Sequence, residues 1–443
     1  MSTAHHATPG AHQHSTYLPS EQTMTAARRI MARCDELAAI SALPDGILRA
    51  YLTEEHRRHN ALAAHWMQEA GMATWQDAAG NQCGRIEGRE PGLPALLIAS
   101  HLDTVPYAGR YDGILGVLIG IETARRMAPH SAQLPFAIEV AAFGDEEGTR
   151  FGATLLGSRA MAGTWDPTWW DVKDEDGITL REAFEVFGLD ADRVGEAARK
   201  PADLVGYLEA HIEQGPYLEI ADRPLGVVTS IAGARRFRIS VLGEARHAGG
   251  TPYARRRDAL IGASQAVLDI ERIGREKQAI ATVGQMTAVP GAVNVVPGRA
   301  DLSLDLRAET DELRDDAWAA IETELENLCS ERGLEYEAEE IHTAGTVYCD
   351  HQLSQAVAAG IVHTGDPDPM QLYSRAGHDA MAMAALTPVA MLFTRCHDGI
   401  SHHPEESVTT EDVAAALNAL ETAVWKTAEN YDAGEFSVGG TAA

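Results

Sequence analysis

The stretch PALLIASHLDTVPYAGRYDGILGVLIGIETARRM (94–127), followed by FAIEVAAFGDEEG (136–148), decides the architecture. PALLIAS is a compact apolar run without polar alternation, the pattern of a strand covered on both faces in a parallel sheet. ILGVLIGIETARRM, entered from Asp112-Gly113, reads as a helix, and FAIEVAAFGD reads as the next buried strand, ending at Gly144. This alternation predicts an α/β domain with a mostly parallel or mixed sheet. In such sheets the chemistry gathers where strands end and loops begin.

Upstream, residues 23–71 read as helical, with Ile30, Leu37, Ile40, Ile47 and Leu48 interspersed among charges and Gly71 as a stop. A different rhythm starts near Ala232. RRFRISVLG alternates, placing Phe237, Ile239 and Val241 on one face, and DALIGASQAVLDIERIG carries Leu260, Ala263, Val267 and Ile270 at helical spacing. Two strands, QAIATVGQMTAV and ADLSLDLRA, then a helix from Thr310 to about Arg332 and a last strand, EYEAEEI, complete a βαββαβ order. That order is a ferredoxin-like α+β module inserted into the α/β domain. The chain then returns to helix, to the strand PVAMLF and to the amphipathic helix VTTEDVAAALNALETAVWKTAEN. The expected division is a loose tail over 1–22, a first domain over 23–231 and 344–433, the insert over 232–343, and a second tail over 434–443.

The chain has 443 residues, 45% of them hydrophobic, enough for two cores. A net charge of −29 would repel phosphate backbones and anionic lipid, which argues against nucleic-acid and membrane-surface partners. No apolar run reaches membrane-spanning length, and the polar N-terminus lacks the build of a secretory signal. Five scattered cysteines, Cys34, Cys83, Cys329, Cys349 and Cys396, form no CxxC pair and read as reduced thiols of a cytoplasmic protein. His5, His6, His12 and His14 read as part of a solvated tail, not as ligands.

The reactive residue types recur at strand ends. His101 and Asp103 are two apart and share a face, so the carboxylate can hold one imidazole nitrogen while the other binds a metal; a polar strand cap is the plainer alternative. Asp112 precedes a helix and can be its N-cap, or a carboxylate that bridges two ions. Asp145, Glu146 and Glu147 repel one another, a cost that nearby cations would offset. Adjacent side chains diverge, so one glutamate can ligate while its neighbour serves as general base; a solvated acidic loop is the alternative. His211 lies in AHIEQG, and His402 in SHHPEE. Imidazoles and carboxylates without cysteine suit Zn²⁺ or Mn²⁺ in a hydrolytic site.

Six segments, SHLDTVPYAGRYDGILGV, FGDEEGTRFGATLLGSRAMAG, AHIEQGPYLE, NVVPG, AGHDA and SHHPEE, carry a resemblance that runs from about residue 25 to about residue 430. The chain resembles the amidohydrolase branch of the zinc-dependent exopeptidase and aminoacylase superfamily. That branch includes N-carbamoyl-L-amino-acid hydrolases, allantoate amidohydrolases and β-ureidopropionases. The resemblance implies a di-metal exopeptidase-like catalytic domain with an inserted lid and dimerisation domain. It implies that His101, Asp112 and His211 hold one divalent ion and Asp112, Glu147 and His402 another, with Asp112 bridging. The ions would be Zn²⁺ first, with Mn²⁺, Co²⁺ or Ni²⁺ as alternatives. His403 is the alternative to His402. Glu146 would be the general base and acid, and His247 would polarise the scissile carbonyl. Gln214, Asn294, Arg307 and Gly377 would bind a small ureido or carbamoyl acid, and Asp103 would steady His101. A homodimer is implied as well.

The residues agree on one point. Along Asp301–Ala308, Leu302, Leu304 and Leu306 face one way, so Arg307 lies on the polar face, where it can grip a carboxylate or pair with Asp305. The expected reaction is cleavage of a carbon–nitrogen bond of an N-carbamoyl-L-amino acid or of a ureido acid such as allantoate, with release of ammonia. A dipeptidase or aminoacylase is the enzymatic alternative, and a catalytically dead binding protein the other. Loop 164–177, TWDPTWWDVKDEDG, supplies either pocket walls or surface packing.

Overall fold

A computed structural model describes residues 18–434. The four tail histidines and the segment after Gly434 lie outside the described residues. The first helix begins at Glu21, capped by the Ser20 side chain, so helix replaces the end of the expected 1–22 tail. Residues 23–71 are not one helical region. Helices Glu21–Ala38 and Glu54–Glu69 are separated by an irregular segment, with Thr53 capping the second. Pro44 lacks the amide hydrogen a continuous helix needs.

The strands in chain order are β1 (Ala73–Gln76), β2 (Gln82–Ile86), β3 (Ala95–His101), β4 (Ala137–Phe143), β5 (Leu204–Ile212), β6 (Leu225–Ile231), β7 (Gly233–Leu242), β8 (Arg246–His247), β9 (Ile280–Thr282), β10 (Met286–Val289), β11 (Val295–Val296), β12 (Arg299–Ala308), β13 (Glu335–Ala344), β14 (Val347–Tyr348), β15 (Met370–Ser374) and β16 (Val389–Thr394). Within the described residues the chain divides into two compact units, one of 18–229, 349–372 and 378–434 and one of 230–348 and 373–377.

The first unit is built on a mixed sheet ordered β1-β2-β4-β3-β5-β16-β6, with β15 also on β6. At its centre β4, β3, β5 and β16 are parallel neighbours, so their carboxyl ends emerge at one edge. Every residue of β3, β4 and β5 is buried, which explains runs without alternation. Helix Ile114–Met127 is buried except at Arg125 and Arg126. It packs on β3, β4 and β5 and is itself covered by helices Glu21–Ala38 and Thr410–Asp432, hence its apolar character all round. Gly116 permits this approach, because a Cβ there would run into the Ala210 carbonyl. The aromatic loop packs inward: Trp165, Trp169 and Trp170 lie against a cluster that includes Phe184 and Phe187.

The second unit holds a sheet ordered β10-β12-β7-β13, with β9 also on β12. The run QAIATVGQMTAV therefore forms two short strands, β9 and β10, instead of one. Helices Ala259–Glu276 and Asp311–Arg332 bury one face of this sheet through Phe237, Ile239, Val241, Leu302, Leu304 and Leu306. Trp318 stacks on Phe237 at 3.6 Å. The strict in–out burial along β12 follows directly from its alternating sequence.

Candidate metal centre

The sheet edge described above collects the polar residues. His101 ends β3, His211 is the penultimate residue of β5, Asp145-Glu146-Glu147 follows β4, and His402 lies in the loop after β16. Asp112 sits in the turn after β3. It is not an N-cap: helix Ile114–Met127 is entered from Gly113 at φ +72° with no side-chain cap bond. A Cβ at Gly113 would strike the His101 ring, so glycine is required by both conformation and space.

Freed from capping, the Asp112 carboxylate presents its two oxygens to different imidazoles. Oδ1 lies 3.2 Å from His211 Nε2 and 4.0 Å from His101 Nε2. Oδ2 lies 3.0 Å from His402 Nε2, which is also 3.2 Å from Glu147 Oε1. Two sets of three donors result, His101–Asp112–His211 and Asp112–Glu147–His402, each able to hold a metal ion. His211 supplies the test of fit. Its Nδ1 donates to the Ile212 carbonyl at 2.9 Å, which leaves Nε2 as a bare lone pair with no hydrogen-bond donor, fully buried. Burial pushes its pKa down to about 4, so it stays neutral. Two buried lone-pair atoms 3.2 Å apart repel unless a cation joins them. Ligands of one tetrahedral ion at about 2.0–2.1 Å lie about 3.3 Å apart, so the spacing suits zinc-like coordination. The nitrogen and oxygen donors fit a borderline or hard divalent cation.

Electrostatics point the same way. Burial pushes the Asp112 carboxyl up, but His402, His211 and His101 outweigh it and hold the group well below the usual carboxylate range. Asp112 and Glu147 raise His402 to about 10, so without a cation a proton takes its place. His101 is raised too: burial opposes its charge, and Asp103, Glu146 and Asp112 outweigh burial.

Asp103 plays a wider part than steadying one imidazole. Its backbone carbonyl accepts from His101 Nδ1 at 3.2 Å, while its carboxylate takes the Glu146 and Glu147 amide hydrogens, each at 3.1 Å. The two glutamates are thereby fixed with Glu147 toward His402. Burial pushes the Glu146 carboxyl well up, His101 working against it and Glu147, Asp379 and Asp103 with it. A carboxyl raised in this way, beside the two donor sets, is placed for general acid–base work.

The structure places the remaining sequence candidates less uniformly. Gln214 donates to Asp112 Oδ2 at 2.9 Å and to Ser401 Oγ at 3.2 Å, so it belongs to the hydrogen bonds around the donor cluster itself. His403 is exposed and accepts the Glu405 amide at 3.2 Å, apart from the cluster. In the second unit, β8 and β11 pair His247 with Val295, and Ala248 N–H donates to the Asn294 carbonyl at 2.8 Å. His247 and Asn294 are thus neighbours on an exposed ribbon. Arg307 forms a two-pronged bridge to Asp305 at 2.7 and 3.2 Å and donates to the Arg375 carbonyl at 2.9 Å; the plainer salt-bridge reading describes it as it stands. Gly377 ends the short segment that groups with the second unit.

Sequence reasoning missed several residues here. Glu406 accepts the amides of Tyr111 and Asp112 at 2.7 and 3.2 Å and the Ser401 hydroxyl at 3.0 Å, fixing the turn that carries Asp112. His378 lies edge-on to the His211 ring at 4.4 Å. Glu209 is fully buried and accepts from Ser100, Tyr207 and the Ala380 amide. The acids of SHHPEE and the His-Asp of AGHDA were visible signals for the first two; the all-apolar setting of β5 hid Glu209.

Residues 97–426 match the model of peptidase family M20/M25/M40. The chain is 41% identical over 408 residues to an N-carbamoyl-L-amino acid amidohydrolase of Geobacillus stearothermophilus, covering 92% of this chain and 100% of that one. It is 37% identical to an allantoate deiminase of Arabidopsis thaliana, covering 88% of this chain and 80% of that one. In structure it resembles a hydantoinase/carbamoylase family amidase from Burkholderia multivorans, with a TM-score of 0.82 and 36% identity over 91% of this chain and 98% of that one.

Proposed function

From the premise that the chain belongs to peptidase family M20/M25/M40 and is a hydrolase of carbon–nitrogen bonds other than peptide bonds, we propose that it cleaves a carbon–nitrogen bond of an N-carbamoyl-L-amino acid or of a ureido acid such as allantoate, with release of ammonia. The observation that carries this reading is the Asp112 carboxylate flanked by His211 on one oxygen and His402 on the other, with Glu146 beside them. His101, Asp112 and His211 would hold one divalent cation and Asp112, Glu147 and His402 a second, with Zn²⁺ the first choice and Mn²⁺, Co²⁺ or Ni²⁺ the alternatives. Such cations lower the pKa of a bound water and polarise the scissile carbonyl.

The chain's own residues do the rest. Glu146 takes the proton of the attacking water and returns it to the leaving nitrogen, and Asp103 keeps it in reach by holding its amide. Carbamoyl substrates would then yield the free amino acid, ammonia and carbon dioxide. His247 would support the developing oxyanion, and Asn294, Arg307 and Gly377 would recognise the substrate, Arg307 by exchanging Asp305 for the substrate carboxylate. We assign the first unit to catalysis and the second to lid and dimer formation, and place the chain as a homodimer in the cytoplasm. Its cysteines are all free, and among the described residues no helix is long and apolar enough to cross a membrane.

The test is hydrolysis by metal-replete protein, read as ammonia release from a panel of N-carbamoyl-L-amino acids, β-ureido acids and allantoate and as release of free amino acid from dipeptides and N-acyl amino acids. Turnover confined to the first group is expected. Turnover confined to the second would replace this reading with a dipeptidase or aminoacylase.

A further inference from the structure

We propose that Arg49 is a positioning residue of the hydrolytic centre, acting through the turn that carries Asp103. The inference rests on the reading of Glu146 and Glu147 given above. Arg49 lies in the irregular segment between the first two helices and is 1% exposed. Its guanidinium makes no ion pair among the described residues; Nε donates to the Leu102 carbonyl and a terminal nitrogen to the Leu37 carbonyl, both at 3.0 Å. A cation buried against carbonyls alone is costly to keep. Burial pulls its pKa down to about 10, with Asp103 acting the other way, so it remains charged near neutrality.

What this cation holds is informative. The Arg49 amide donates to Thr104 Oγ1 at 3.0 Å, and the Arg49 carbonyl accepts the Thr104 amide at 3.0 Å. His59 Nδ1 donates to the same Leu102 carbonyl at 3.2 Å, and the Leu102 amide donates to the Phe143 carbonyl at 3.2 Å. Leu102 and Thr104 bracket Asp103, so its backbone is tied on both sides. On its functional side Asp103 faces His101 and takes the amides of Glu146 and Glu147. Arg49 therefore fixes where the Asp103 carboxylate stands, in place to accept two amides at once. The buried cation makes sense as the rear anchor of the base and of one metal ligand.

The experiment compares Arg49→Met and Arg49→Lys, alone and combined with Asp103→Asn, in the full-length protein. It measures Zn²⁺ affinity by chelator competition, kcat and KM on the best panel substrate, and Tm. Arg49→Met is expected to lower Zn²⁺ affinity and kcat about tenfold or more, as loss of support behind metal ligands does, with KM within about twofold. Arg49→Lys should recover part of both. In the Asp103→Asn background Arg49→Met should add less than about twofold, because the route is already broken. Thr104→Val, which removes the hydroxyl partner of the Arg49 amide, should show the same pattern more weakly, and it stands in if Arg49→Met does not fold. A lowered Tm with unchanged kcat and Zn²⁺ affinity overturns the proposal, as do effects that multiply fully with Asp103→Asn. Failure of the wild-type chain on every panel substrate would instead sink the functional reading, and the Zn²⁺ affinities would still decide this one.

Discussion

The edge of the first unit's sheet and the polar face of the second unit carry similar residue types in opposite states. In the first, His101, Asp112 and His211 are buried and crowded, and His211 Nε2 has no hydrogen-bond partner. In the second, His247 and Asn294 are exposed, and Arg307 is satisfied by Asp305 and the Arg375 carbonyl. Burial is what turns the first group into a reactive site, because it makes every unpaired lone pair expensive and every cation welcome. The second group has partners it can exchange at little cost, which suits recognition more than chemistry. Residue identity alone does not separate the two.

The sharpest way to break that contrast is at Glu146. Glu146→Gln keeps size and packing but removes the base; kcat should fall by about 10²–10⁴-fold while bound metal, read by elemental analysis, stays at the wild-type level. Loss of metal together with activity would mean that Glu146 is a ligand and not the base. Arg307→Ala probes the other region. It should raise KM by about ten- to a hundredfold, the worth of a charge-assisted carboxylate contact, with kcat within a few-fold. A kcat loss at unchanged KM would move Arg307 into the chemistry.

Acidity offers a third test, since a half-exposed imidazole of the centre holds a proton where a cation would sit. His402 stands at about 10 in the cation-free protein against an ordinary 6.5, so cation binding must displace its proton. Affinity should weaken about tenfold per pH unit as pH falls below 10, for each proton displaced. Calorimetry in buffers of different ionisation enthalpy would detect that proton. The same raised pKa contributes stability below about pH 6.5 that fades as pH rises toward 10. Chelator-treated protein should therefore unfold more easily across that window, and metal-replete protein should not. The smallest effect is expected at His403, exposed and outside the cluster; His403→Ala should leave kcat/KM within about twofold. A larger loss would make it the ligand in place of His402.

Much of the centre was legible because its residues end strands whose apolar runs are unmistakable. PALLIAS and FAIEVAAFGD located His101 and the acidic run, and parallel pairing brought the ends together. What escaped was lateral contact between distant segments. The acids of SHHPEE mark Glu406 as a polar residue near the site, but not that it holds the turn of Asp112, 294 residues away. Gln214 was assigned to substrate, yet its amide lies on Asp112, a contact that depends on the loop after β5 turning back at Gln214, φ +56°. The apolar residues after Ala38 suggest a helix, but Ser41 donates to the Gly46 carbonyl within the segment and Arg49 to the Leu102 carbonyl outside it, which hold it in an irregular path. Periodicity reports which face is apolar, not which backbone groups are already engaged.

Anomalous diffraction from crystals of metal-replete protein, collected above and below the absorption edge of the bound metal, tests the central claim most directly. Two peaks per chain are expected, one on each side of the Asp112 carboxylate, the first beside His101 and His211 and the second beside Glu147 and His402. A single peak remote from Asp112, or none in fully active protein, would contradict it.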